Sequence, residues 1–231
     1  MTIIANALQA IHTNILAAKL TANRTDTVRL LAVSKAQSAE KVREAYMSGQ
    51  IAFGENYVQE AINKQALLRN CNIEWHFIGP IQSNKTQLIA QHFDWVHSVD
   101  RLKIAERLAS SRPADLPPLN VCIQINSSHE LSKSGVNIGD MASLAKTIIK
   151  LPTLKLRGLM AIPAPTKNIE KQRAQFKIVK EIFFELQHSG YKLDTLSIGM
   201  SDDYVAAIQE GATIVRIGSA IFGDRPKLST E

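Results

Sequence analysis

Eight short apolar runs, each followed by a stretch with helical spacing, constrain the fold of this chain more than any other feature. The runs are VRLLAVS (28–34), IAFG (51–54), EWHFIG (74–79), DWVHSV (94–99), NVCIQIN (120–126), LKLRGLMAI (154–162), LDTLSIG (193–199) and TIVRIG (213–218). Strands that alternate with helices build a parallel sheet, and runs rich in Val, Ile and Leu suit strands covered on both faces. Eight such units in 231 residues match a closed barrel. A doubly wound open sheet shares the local pattern, but the GxGxxG fingerprint expected after its first strand is missing. The expected fold is a (β/α)8 TIM barrel over about 28–225, preceded by an amphipathic helix over about 3–20 in which Ile4, Leu8, Ile11 and Ile15 share a face. No Gly/Ser-rich linker divides the sequence, so residues 1–231 read as one domain. Ser38 is placed to cap the second helix and Gly49 to end it, and Phe176, Val179, Phe183 and Leu186 mark the buried face of a later one.

Composition removes several classes of function. The formal charge is +6, yet Lys and Arg are scattered singly and no basic run interleaves with aromatics, which disfavours a nucleic-acid partner. The two cysteines, Cys71 and Cys122, lack CxxC spacing and predict neither zinc nor a disulfide, which points to a reducing cytoplasm. Cys122 reads as a small core residue. The N-terminal segment carries no basic n-region of a leader, and no apolar run reaches the roughly 18 residues of a membrane span. The Asp202–Asp203 pair lacks a further ligand close by in sequence, so no metal is expected.

Active sites of such barrels form where strands end and the next loops begin. That rule selects Lys35, Asn56, His76, Gly79, Asn126, Met160, Met200, Ser201, Arg216, Gly218 and Ser219. The loops after strands 7 and 8 often bind phosphate, and here they read GMSDD (199–203) and RIGSAIFG (216–223). Gly199 and Gly218 allow close backbone approach, while Ser201 and Ser219 offer hydroxyls at helix starts. The plainer reading makes both serines N-caps. Asp202 and Asp203 would repel a phosphate, so their carboxylates are expected to point away. Lys35 emerges from a buried strand, where partial desolvation favours the neutral amine that attacks an aldehyde. A ligand with both an aldehyde and a phosphate joins these features, and pyridoxal 5′-phosphate is the biological example. Arg216 would then face the pyridine nitrogen, where a fixed cation disfavours protonation and weakens the ring as an electron sink.

The segments AVSK (32–35), FGENYVQE (53–60), WHFIGPIQSNK (75–85), INSSHELSKSG (125–135), RGLMAI (157–162), IGMSDDY (198–204) and VRIGSAIFG (215–223) together resemble the pyridoxal phosphate homeostasis protein family. This resemblance implies a barrel related to the N-terminal domain of alanine racemase, with the cofactor held as a Schiff base on Lys35. It further implies that Ser201, Gly218 and Ser219 bind the phosphate, that Arg216 meets the pyridine nitrogen and that Asn56 lies beside the ring. Ser219 stands where some members have Thr, and the loose SSHELSKSG loop transfers no role to His129 or Glu130. The resemblance implies a monomeric cofactor carrier that serves vitamin B6 homeostasis and amino-acid balance, with apo-enzymes dependent on pyridoxal phosphate as partners and without catalytic residues. Eight residues follow the last of these motifs, so the second domain that supplies a tyrosine in bacterial alanine racemases is not expected here. The alternative is a small amino-acid racemase in which Tyr57 or His76 acts as second base.

Overall fold

Each of the eight apolar runs overlaps a strand in the computed structural model, which describes residues 2–126 and 134–223. The strands are β1 (Arg29–Val33), β2 (Ala52–Glu55), β3 (Glu74–Phe77), β4 (Trp95–Val99), β5 (Leu119–Gln124), β6 (Leu154–Met160), β7 (Thr195–Ser197) and β8 (Ile214–Ile217). Between them run α2 (Ala39–Met47), α3 (Val58–Leu67), α4 (Thr86–His92), α5 (Leu102–Ser111), α6 (Ile138–Ile148), α7 (Ile169–His188) and α8 (Tyr204–Gln209), with α1 (Ile3–Thr21) before β1 and α9 (Ser219–Phe222) after β8. Strand order is sequential, and β8 pairs in parallel with β1 to close the barrel. The expected TIM barrel and its leading helix are therefore present. Residues 127–133, with His129 and Glu130, and the last two residues of the expected barrel span, 224–225, lie outside the described residues.

Side chains alternate along the strands and divide the core in two. Leu30, Ala32, Phe53, Phe77, Val96, Val121, Ile123, Val215 and Ile217 join the main cluster that also includes the buried helix faces. Their neighbours Leu31, Ala52 and Ile214 form a separate group, and Trp95, Cys122 and Met160 another. These belong to the opposite strand face, the barrel interior. Burial of each large apolar side chain contributes about 1.5–3 kcal/mol. Ile4, Leu8, Ile11 and Ile15 of α1 are buried, and that helix packs against α2, α8 and α9, tying the first unit to the last ones.

Local signals held where they rest on chain chemistry. Ser38 Oγ accepts the Lys41 N–H at 3.5 Å as the α2 cap, and Gly49 turns the chain with φ +94. Phe176, Val179, Phe183 and Leu186 line the buried face of α7. β7 is shorter than its apolar run, because Gly199 adopts φ +91 and turns the chain out of the sheet. A Cβ at that glycine would lie 2.5 Å from Ala207 Cβ. A 3-10 turn over Ser83–Lys85 precedes α4. Cys71 and Cys122 are both free thiols, and burial pushes Cys122 up to about 12, as suits a core residue. Among the described residues no helix is long and apolar enough to cross a membrane, and no group of three His, Cys, Asp or Glu is arranged to hold a metal.

Candidate functional site

Lys35 leaves the end of β1 and lines a small cavity with Val33, Gln37, Gly218, Ser219 and Gly223. The loop after β7 reaches the same place, since Ser219 Oγ lies 3.4 Å from Ser201 Oγ. Strand ends far apart in sequence thus bring Lys35, Ser201, Gly218 and Ser219 together. Neither serine caps a helix. The capping positions of α8 and α9 are Asp203 and Gly218, and neither makes a side-chain cap bond. The plainer reading of both serines as N-caps is corrected by this geometry, which leaves their hydroxyls facing each other. Asp203 Oδ1 instead accepts the Met200 N–H at 2.6 Å, and Asp202 is exposed.

Arg216 projects from β8 into the barrel and is only 4% exposed. Its Nη1 donates to Ser197 O at 2.5 Å and to Ser197 Oγ at 3.0 Å, while Nη2 donates to Ala161 O at 3.1 Å. Burial pulls its pKa down to about 10, against the favourable charge of Asp203, so the guanidinium remains cationic at neutral pH. Ser197 Oγ lies 2.8 Å from His97 Nδ1, and His97 Nε2 lies 2.8 Å from His76 Nδ1. His76 Nε2 then meets Glu74 Oε1 at 2.6 Å, and Arg29 Nη2 donates to the same oxygen at 2.5 Å. Burial holds both imidazoles below their usual range. His76, a candidate from its strand position, is an interior residue with both ring nitrogens engaged.

Glu74 gives this chain an acid-sensitive term. Burial alone would raise its pKa, but the hydrogen bond from His76 and the charge that ring takes on in acid, followed by the Arg29 pair, lower it from 4.5 to about 2. As pH falls, the unfolded chain takes up this proton first. The stabilisation is therefore complete above about 4.5 and lost between there and about 2. Urea unfolding across that window is expected to show a steeper acid loss for the native chain than for Glu74→Gln.

Asn56 follows β2, and its Oδ1 is buried without a hydrogen-bond partner among the described residues. Gly79 allows this approach, since a Cβ there would collide with the Asn56 backbone. Tyr57 is 61% exposed. Asn126 is buried at the end of β5 and its N–H donates to Val136 O at 3.0 Å. Met160 turns inward against Trp95 and Cys122 and belongs to the interior. Met200 instead lines a wider cavity beside the seventh loop with Ile162, Ile169, Gln172 and Asp202.

One cluster was not legible as a site. Lys64 is buried in α3, where its Nζ donates to Glu55 Oε1 at 2.7 Å, Glu60 Oε1 at 2.6 Å and Ser34 O at 2.7 Å. Glu60 Oε1 also accepts the Ala36 N–H at 2.6 Å. Both chain neighbours of Lys35 are thereby fixed. Ala36 sits at φ +58, a left-handed conformation that costs a non-glycine residue about 1–2 kcal/mol. The sequence signal was the spacing of Glu60 and Lys64, four residues apart on one helix face.

A family model described as the N-terminal domain of alanine racemase matches residues 7–226. The pyridoxal phosphate homeostasis protein of Pseudomonas aeruginosa is 60% identical over 199 residues, which cover 86% of this chain and 85% of that protein. Its counterpart in Escherichia coli K12 is 49% identical over 229 residues, covering 97% and 98%. The structure of PipY of Synechococcus elongatus with PLP bound has a TM-score of 0.84 at 36% identity and covers 95% of this chain and 100% of that one. An alanine racemase of Clostridium difficile in complex with cycloserine has a TM-score of 0.75 at 16% identity, covering 96% of this chain and 61% of that one, and shares the fold. The chain belongs to the family of alanine racemase N-terminal domains and, within it, to the pyridoxal phosphate homeostasis proteins.

Proposed function

We propose that this chain is a cytoplasmic, single-domain carrier that binds pyridoxal 5′-phosphate at Lys35 and takes part in its homeostasis without catalysing a reaction. The observation that carries this reading is the cavity shared by Lys35, Gly218 and Ser219, with Ser201 Oγ against Ser219 Oγ. The residues fit the cofactor at each end. Two hydroxyls are not spent on helix caps, Arg216 uses three of its five N–H donors among the described residues, and Asn56 Oδ1 is an orphaned acceptor. When bound, pyridoxal phosphate supplies an aldehyde for covalent attachment and a pyridine ring able to accept electron density.

In this reading Lys35 Nζ provides the attachment point. Ser201, Ser219 and the Gly218 backbone hold the phosphate. Arg216 faces the pyridine nitrogen and disfavours a proton there, and Asn56 lies beside the ring. PipY was solved with PLP bound, and relatives with the homeostasis name match nearly the whole chain, which supports the assignment. A racemase needs a second acid/base group. Engagement of both His76 nitrogens removes one candidate for that role and favours the carrier, with apo-enzymes that require the cofactor as recipients.

Equilibrium dialysis tests the phosphate assignment. Ser219→Ala is expected to weaken cofactor retention about tenfold, because a hydrogen bond to a charged group is lost, while Asp202→Ala changes it little. Equal losses would overturn the assignment. Racemisation of amino acids above the rate of free cofactor, abolished in Lys35→Ala, would overturn the carrier reading.

A further inference from the structure

The barrel interior holds a hydrogen-bonded line from the amino ends of β1 and β3 to the carboxyl ends of β7 and β8. It runs through Arg29, Glu74, His76, His97, Ser197 and Arg216, with distances of 2.5–3.0 Å. Its middle is dry. His76 and His97 are at most 1% exposed and Ser197 is fully buried, and Trp95 stacks on His76 with ring centroids 5.3 Å apart. Arg157 covers the Trp95 ring in turn, with its guanidinium carbon 4.4 Å from the centroid.

Donor accounting gives this line one direction. Glu74 is a carboxylate and only accepts, so His76 donates from Nε2. Burial keeps both imidazoles neutral at neutral pH, which leaves His76 Nδ1 as an acceptor and makes His97 donate from its own Nε2. His97 Nδ1 then accepts the Ser197 hydroxyl, whose oxygen accepts from Arg216 Nη1. Every bond points from the guanidinium toward the carboxylate. The opposite direction would require Glu74 to donate and would strand the Ser197 proton beside a cation.

We propose that Glu74 acts through His76, His97 and Ser197 as the remote anion that fixes this direction and thereby positions Arg216 for the pyridine end of the cofactor. His97 and Ser197 are then positioning residues, and the inference rests on the placement of Arg216 proposed above. Bonds in such a buried chain polarise one another, so removal of the terminal charge is felt at the far end.

Two measurements on the full-length protein test this. Nitrogen-15 histidine spectra of the native chain at neutral pH are expected to show His76 and His97 as neutral rings protonated at Nε2, with or without cofactor. An Nδ1–H ring or an imidazolium at either position would overturn the proposal without any variant having to fold. The second measurement is a double-mutant cycle on cofactor affinity with Glu74→Gln and Ser197→Ala, which are separated by two imidazoles. Each is expected to weaken binding about tenfold, and the pair also about tenfold. A pair about a hundredfold weaker, as for independent sites, or single variants without effect would overturn the relay. Cofactor fixed to Lys35 together with an additive cycle sinks the relay alone. Cofactor fixed elsewhere sinks the proposed function, while the tautomer spectra still report on the direction of the line.

Discussion

Lys35→Ala is expected to yield a folded, colourless protein whose retention of pyridoxal phosphate falls by about a hundredfold or more, a loss of roughly 2.8 kcal/mol or greater. The phosphate contacts proposed for Ser201, Gly218 and Ser219 would remain, but without an amine the cofactor would be held through them alone. Lys35→Arg separates charge from nucleophilicity. It keeps a cation at this position, yet a guanidinium stays protonated and cannot attack an aldehyde, so it should be as colourless as the alanine variant. Visible absorbance and equilibrium dialysis of both variants check this. Yellow, cofactor-retaining Lys35→Ala protein would contradict it.

Lys64→Met is expected to destabilise the fold by about 3–5 kcal/mol at neutral pH, the cost of leaving a buried charge without its partner. Glu55 is fully buried, and burial already raises its pKa despite the bonds from Lys64 and Ser34. Loss of the ammonium raises it further. A carboxyl whose folded pKa exceeds the unfolded value is most stabilising when protonated, so the deficit should shrink as pH is lowered and grow as pH rises through the folded value. Urea unfolding at several pH values reads this directly. The same variant frees Ser34 O and disturbs Glu60, which holds the strained Ala36, so cofactor attachment should slow even where the protein remains folded.

The strands were legible because eight apolar runs and their helices repeat along the chain, and the rule that barrel sites lie at strand ends needs only strand boundaries. That rule brought out Lys35, Ser201, Gly218 and Ser219, which the fold gathers around one cavity or loop pair. It also selected Met160, whose side chain turns inward at the end of β6, because the rule says where a strand ends and not which way its last residue faces. Glu74, His97 and Ser197 were invisible as a set. In a barrel both strand faces are covered, so inward polar residues leave no amphipathic pattern, and their pairing depends on the register of β3, β4, β7 and β8. Lys64 presents a similar case: its spacing from Glu60 suggests a surface pair, and only the return of α3 over the end of β1 buries it.

Borohydride reduction of the cofactor-loaded protein, followed by peptide mapping, tests the central claim most directly. Reduction makes the attachment irreversible, and the account predicts one pyridoxyl phosphate increment on the peptide that contains Lys35. Label on another lysine, or none in a protein that binds the cofactor, would contradict it.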